Sequence, residues 1–92
     1  MQYMVVERFK PGAAKAIYER VRERGRMLPP GLSYVDGWVS RKLDACFQVM
    51  ECEREALFDE WTRHWEDLTE FEIVAVVSSD EAGRLALDAD SR

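Results

Sequence analysis

The chain's hydrophobic periods predict an α+β fold of ferredoxin-like type, βαββαβ, with a four-stranded antiparallel sheet and two helices on one face. Three observations carry this reading. Four short runs rich in β-branched and aromatic residues alternate in the order one, two, one with two runs of helical period. Pro and Gly punctuate the joints at Pro11-Gly12 and Pro29-Pro30-Gly31. The whole pattern closes within eighty of the 92 residues.

Each element follows from its residues. Gln2 to Phe9, QYMVVERF, reads as a strand that stops at Pro11-Gly12. From Ala14 the period changes: Ala14, Ile17, Tyr18, Val21 and Leu28 recur at helical spacing with Lys and Arg between them, and Gly25 is a candidate cap. Leu32 to Ser40 and Ala45 to Cys52 read as strands joined by a hairpin at Arg41-Lys42-Leu43-Asp44, and Gly37 suggests a bulge. Arg54 to Asp67 returns to helical period, with Leu57, Phe58, Trp61, Trp65 and Leu68 on one side and an acidic first turn suited to the helix dipole. Phe71 to Val77 is the last strand. One domain over residues 1–79 is expected, followed over 80–92 by a short helical turn through Leu87 and a disordered polar tail from Asp88.

Composition narrows the function classes. The net charge is −5, and no strand pair interleaves basic and aromatic residues, which argues against nucleic acid as a partner. The charge is uneven. Residues 1–43 hold nine Lys and Arg against four Asp and Glu, whereas residues 44–92 hold four against fourteen. A basic first helix beside an acidic second one is expected, the two screening each other. No stretch is apolar for the length that crosses a bilayer and no basic leader opens the chain, so a cytoplasmic protein is expected. Cys46 and Cys52 lie on one strand, roughly 20 Å apart at extended spacing, too far for a disulfide.

The strands are apolar on both faces, and this bears on assembly. Tyr3, Val5 and Phe9 oppose Met4 and Val6; Phe47 and Val49 oppose Cys46 and Met50; Phe71, Ile73, Ala75 and Val77 oppose Val74 and Val76. Whichever set faces the helices, the other leaves several hundred Å² of apolar surface, more than a soluble monomer usually exposes. At about 25 cal/mol per Å², covering it gains on the order of ten kcal/mol before association costs. A homodimer through the open sheet face is expected.

The residues also carry a resemblance. QYMVVERF at the start, Arg22-Glu23-Arg24-Gly25-Arg26-Met27 ahead of Gly31-Leu32, Tyr34-Val35-Asp36 with Trp38, Cys46-Phe47-Gln48-Val49-Met50-Glu51, and Trp61 to Trp65 before Phe71-Glu72-Ile73-Val74 resemble a small bacterial family of unknown function, domain of unknown function 3303. That family is similar in fold to the dimeric α/β barrels, which include antibiotic-biosynthesis-type monooxygenases, muconolactone isomerase-like proteins and haem-degrading monooxygenases. The resemblance implies the dimer and supplies no catalytic residues.

Topology directs attention to one edge of the sheet. The first strand ends where the second helix ends and the fourth strand begins, so Glu7, Arg8 and Trp38 are expected near the level of His64, Trp65, Glu70 and Glu72. His64 falls at the margin of the apolar stripe with Glu60 one turn before it, a spacing suited to an acid/base pair. Trp38, Trp61 and Trp65 are candidate walls for a flat ligand, Tyr34 a hydrogen-bond donor to it and Arg8 an anion anchor. The same residues also fit boundary and core positions.

One His, two strand-spaced Cys and dispersed carboxylates form no metal-ligand spacing, and no motif calls for a cofactor. Trp61 and His64 are the residue types that haem-degrading relatives use, but they stand on one helical turn. Two readings stay open. One is a dimer that binds a small, largely apolar or aromatic molecule in a cleft between helices and sheet, monooxygenase- or isomerase-like and free of cofactors. The other is a non-catalytic binding or regulatory dimer.

Overall fold

The computed structural model describes residues 1–90, with side chains through Asp88. Strands β1 (Gln2–Phe9), β2 (Ser33–Val39), β3 (Ala45–Glu51) and β4 (Thr69–Val76) alternate with helices α1 (Ala14–Arg24) and α2 (Leu57–Thr62), and α3 (Ser79–Asp90) follows the last strand. The sheet order is β2-β3-β1-β4, every neighbouring pair antiparallel. This is the ferredoxin-like α+β arrangement that the hydrophobic periods predict. β1 lies between β3 and β4, so its side chains occupy the middle of both faces.

Register decides which residues meet the helices. Tyr3 stands opposite Met50 and Ala75, Val5 opposite Gln48 and Ile73, and Glu7 opposite Cys46 and Phe71. Tyr3, Val5 and Met50 are buried among Ile17 of α1 and Leu57, Phe58 and Trp61 of α2. Edge-to-face rings tie α2 to the sheet: Tyr3 to Phe58 at 5.0 Å between centroids, and Trp61 to Phe71 at 5.3 Å. The other alternating set, Met4, Val6, Phe47, Val49, Val74 and Val76, faces away from the helices. Phe47 and Val74 remain 42% and 45% exposed there. An ion pair, Arg8 to Glu72 at 3.1 Å, closes one end of this open face.

Four local details differ from the sequence expectation. The irregularity in β2 falls between Tyr34 and Asp36, not at Gly37. Gly37 serves another need, because a Cβ there would stand 2.8 Å from the Tyr34 hydroxyl and 3.1 Å from Gln48 Cβ. The missing side chain lets the Tyr34 ring lie across the strand. α2 is also shorter than the expected 54–67. Beyond Thr62 the amides of His64, Trp65 and Leu68 each donate to the carbonyl three residues back, while the His64 carbonyl accepts from Arg20. A tertiary partner thus takes an acceptor that a continuing helix would use.

The third and fourth concern the end of the chain. α3 is a 12-residue helix where only a short turn was expected. Its start follows from Ser78, whose hydroxyl accepts the Glu81 amide at 3.1 Å. Asp88 belongs to this helix and not to a disordered tail; of the expected tail, Ser91 and Arg92 lie outside the described residues. Every described side chain of α3 is exposed.

Pairing between the basic first helix and the acidic second is narrow. Arg20 of α1 makes a bidentate pair with Asp67, both oxygens at 2.8 Å, and its guanidinium stands 5.5 Å from the Trp65 ring centre. The pair holds the Asp67 carboxyl below its usual value, chiefly through that hydrogen bond. No helix among the described residues is long and apolar enough to cross a membrane.

Candidate functional site

A small cleft of about 70 Å³ opens between α1 and the helix-facing side of the sheet. Ile17, Tyr18 and Val21 form the α1 wall, and Trp61 and Trp65 the wall opposite. Glu7 and Gln48 lie at the floor, and Arg26 stands on the loop that follows α1. The volume suffices for roughly five water-sized groups, or the head of a small organic molecule.

The floor is the unusual part. Strand alternation places Glu7 in the same row as Tyr3 and Val5, so a carboxyl occupies a core position on the central strand. Its residue is 8% exposed. Gln48, 4% exposed on the adjacent strand, donates its side-chain amide to Glu7 Oε2. Burial raises the carboxyl from 4.5 to about 7, against the charge of Arg26 and the Gln48 hydrogen bond, which both lower it. Desolvation wins because neither opposing group forms an ion pair with Glu7. A carboxyl poised there is half protonated near neutrality, which suits acid/base exchange with a bound molecule.

Neighbouring groups respond to the same environment. The Cys46 thiol, across the strand pair from Glu7, is pushed up to about 11 by burial first and by the Glu7 charge second. It is therefore a thiol at neutral pH and a poor nucleophile. Burial also raises the Tyr18 hydroxyl, with Cys46 and Glu7 adding to the effect.

The loop carrying Arg26 is fixed from beneath. Gly25 caps α1 at φ 67°, its amide donating to the Val21 carbonyl at 2.7 Å. The next carbonyl, of Arg26, accepts both indole N–H groups, Trp61 at 3.0 Å and Trp65 at 3.2 Å. The Arg26 guanidinium lies 3.7 Å from the centre of the Tyr34 ring, a cation–π geometry.

The sequence-derived candidates separate into two groups. Trp61 and Trp65 line the cleft, and Tyr34 supports it through Arg26. Arg8 and Trp38 lie on the opposite side of the sheet, where Trp38 is 59% exposed across from Phe47 and Arg8 pairs with Glu72. The expected edge does assemble, with Arg8 opposite Glu70 and the Lys10 amide donating to the Leu68 carbonyl at 2.9 Å. However, it is divided by the thickness of the sheet. His64 and Glu60 are exposed and neither lines the cleft; no hydrogen bond or ion pair joins them among the described residues. His64 contributes through its backbone carbonyl, which accepts from Arg20 at 2.7 Å.

Sequence reasoning missed Glu7, Gln48 and Arg26 as site residues. The signal was present for the first two: Tyr3-x-Val5-x-Glu7-x-Phe9 and Cys46-x-Gln48-x-Met50 each put one polar residue into an apolar row on strands that turn out to be neighbours. Nothing in the local sequence separates Arg26 from the other arginines around it. No group of three or more His, Cys, Asp or Glu side chains able to hold a metal ion occurs among the described residues.

Residues 1–90 match the family described as Domain of unknown function (DUF3303). The chain belongs to this family. The match to DUF3303 extends through α3. No curated protein and no solved structure matches the chain. The description of DUF3303 names neither a ligand nor a reaction, so function has to be argued from the cleft.

Proposed function

We propose that this protein is a homodimer that binds a small, largely apolar or aromatic molecule in the cleft between α1 and the sheet, and that Glu7 exchanges a proton with it. The observation that carries the reading is the Glu7 carboxyl itself, buried at the floor of a cleft walled by Trp61 and Trp65, with its proton affinity raised to about 7. A core carboxyl costs stability, and a purely structural role gives no reason to keep it beside an opening. An isomerase-like reaction fits: a base removes a proton from an activated carbon and returns it at another position. Cofactor-independent monooxygenation begins with the same abstraction. The role first expected of His64 and Glu60 passes to Glu7 in this reading.

The dimer rests on the open face. Met4, Val6, Phe47, Val49, Val74 and Val76 form an apolar field that a second sheet would cover, the arrangement of the dimeric α/β barrels that the family resemblance implies. One observation favours a second reading. The cleft's 70 Å³ is small beside the several hundred Å³ of typical ligand pockets, which suits a binding or regulatory dimer that holds a small molecule without turnover.

Native mass spectrometry of freshly purified protein tests the proposal. The expected species is two chains that release a small molecule on activation, with less of that molecule retained by Glu7→Gln. A bare monomer would overturn both parts, and equal retention by Glu7→Gln would remove Glu7 from the site.

A further inference from the structure

Resting on the cleft as a ligand site, we infer that its ligand is a small monocarboxylate, with Arg26 holding the carboxylate head while the apolar tail packs against Trp61 and Trp65. Arg26 is the one cationic residue that lines the cleft among the described residues. Its position is built rather than incidental. Two indole N–H groups clamp its backbone carbonyl at 3.0 and 3.2 Å, and the Tyr34 ring supports its guanidinium at 3.7 Å. Tyr34 in turn lies flat because residue 37 is glycine. Three aromatic residues and a glycine therefore fix one arginine, and its guanidinium makes no ion pair or hydrogen bond among the described residues. A planar fork of donors held beside an apolar cleft matches a planar carboxylate.

The floor selects among anions. A phosphate monoester carries up to two charges and more acceptor oxygens than one guanidinium can satisfy, and ionised Glu7 would repel a second charge more strongly than a single one. A carboxylate presents a single charge, and protonated Glu7 can donate its O–H to it. The titratable and charged groups around Glu7 are Cys46 from β3, Tyr18 from α1 and Arg26 from the loop; β4 and the α2 side present only Phe71, Trp61 and Trp65. Cys46 and Tyr18 keep their protons at neutral pH, since both are shifted upward, so Glu7 is the group whose charge changes there. Carboxylate binding should therefore weaken about tenfold between pH 6 and pH 8.

Titration of ¹⁵N-labelled protein with butyrate and with butyramide, its neutral isostere, reads the indole N–H signals of Trp61 and Trp65 directly. At pH 6 butyrate should move both signals to saturation at least tenfold more tightly than butyramide, and Arg26→Gln should bring the two ligands within about twofold. Arg26 is exposed and its clamp is made by the backbone, so unchanged indole shifts in the free variant verify its fold. Butyramide binding as tightly as butyrate, or a preference that survives Arg26→Gln, would overturn the carboxylate assignment and leave the cleft standing. If neither ligand moves the indole signals, the cleft itself fails as a ligand site and the assignment falls with it.

Discussion

Gln48 donates its side-chain amide to Glu7 from the neighbouring strand, and the two form a polar pair inside a sheet face otherwise built from Tyr3, Val5, Met50 and Phe71. A hydrogen bond to a charged carboxylate lowers its proton affinity, yet the affinity here is raised. The environment therefore outweighs the partner, because the carboxylate has lost most of its water and gained one neutral donor.

Stability should fall as pH rises through this group's range. The unfolded carboxyl titrates near 4.5 and the folded one near 7, so between these values the folded protein binds more protons. The stabilisation is fully present below about 4.5 and is lost by about 7, a total on the order of 3 kcal/mol at 1.36 kcal/mol per unit. Urea unfolding at pH 5 and pH 8 should show this loss in the wild type and little of it in Glu7→Gln, which can still accept from Gln48. An equal slope in both proteins would assign the pH dependence to other groups.

Gln48→Leu should cost about 1–3 kcal/mol at pH 8, where it leaves a buried carboxylate without its donor, and less at pH 5. Combined with Glu7→Leu, which removes the acceptor, the losses should not add, since each change removes the same interaction. Additivity within about 0.5 kcal/mol would mean that the two residues act independently.

Trp61 and Trp65 share one acceptor, which makes their losses non-additive. Either tryptophan changed to Phe leaves the Arg26 carbonyl with one donor, at a cost of about 1 kcal/mol for the hydrogen bond beyond any repacking. The double change should cost more than the sum of the singles, because the carbonyl then has no donor within the protein. Thermal unfolding of the three variants checks this, and a strictly additive result would show that water replaces the indoles.

Phe47→Asp should yield a folded monomer. Phe47 points away from the helices, so the charge leaves the core intact and disrupts only an interface on the open face. Sedimentation velocity should give two chains for the wild type and one for the variant. A monomeric wild type at micromolar concentration would contradict the dimer.

Much of the fold is legible because period-two and helical patterns are local. The β1, β2, β3 and β4 runs lie within two residues of the observed elements, α1 stops at its Gly25 cap rather than continuing to Leu28, and both alternating strand sets fall on the faces that their spacing implies. The helical spacing of Trp65 and Leu68 continues past the end of α2, whereas the backbone there tightens around tertiary bonds to Arg20 and Arg26. His64 and Glu60 are one turn apart in the sequence, but the fold leaves both exposed and outside the cleft. The cleft depends instead on two polar residues from separate strands, which only the β1–β3 register brings together, and on an arginine whose place is set by two distant indoles. Such relationships are long-range, and no window along the chain contains them.

The most direct test of the central claim is a ¹³C-detected NMR titration of the Glu7 carboxyl in glutamate-labelled protein, assigned by comparison with Glu7→Gln. A midpoint near 7, with the Trp61 and Trp65 indole signals shifting in step, is the result expected of a buried acid/base group at the floor of this cleft. A midpoint near 4.5 with unmoved indoles would show Glu7 to be an ordinary solvated carboxylate, and the proposed site would be wrong.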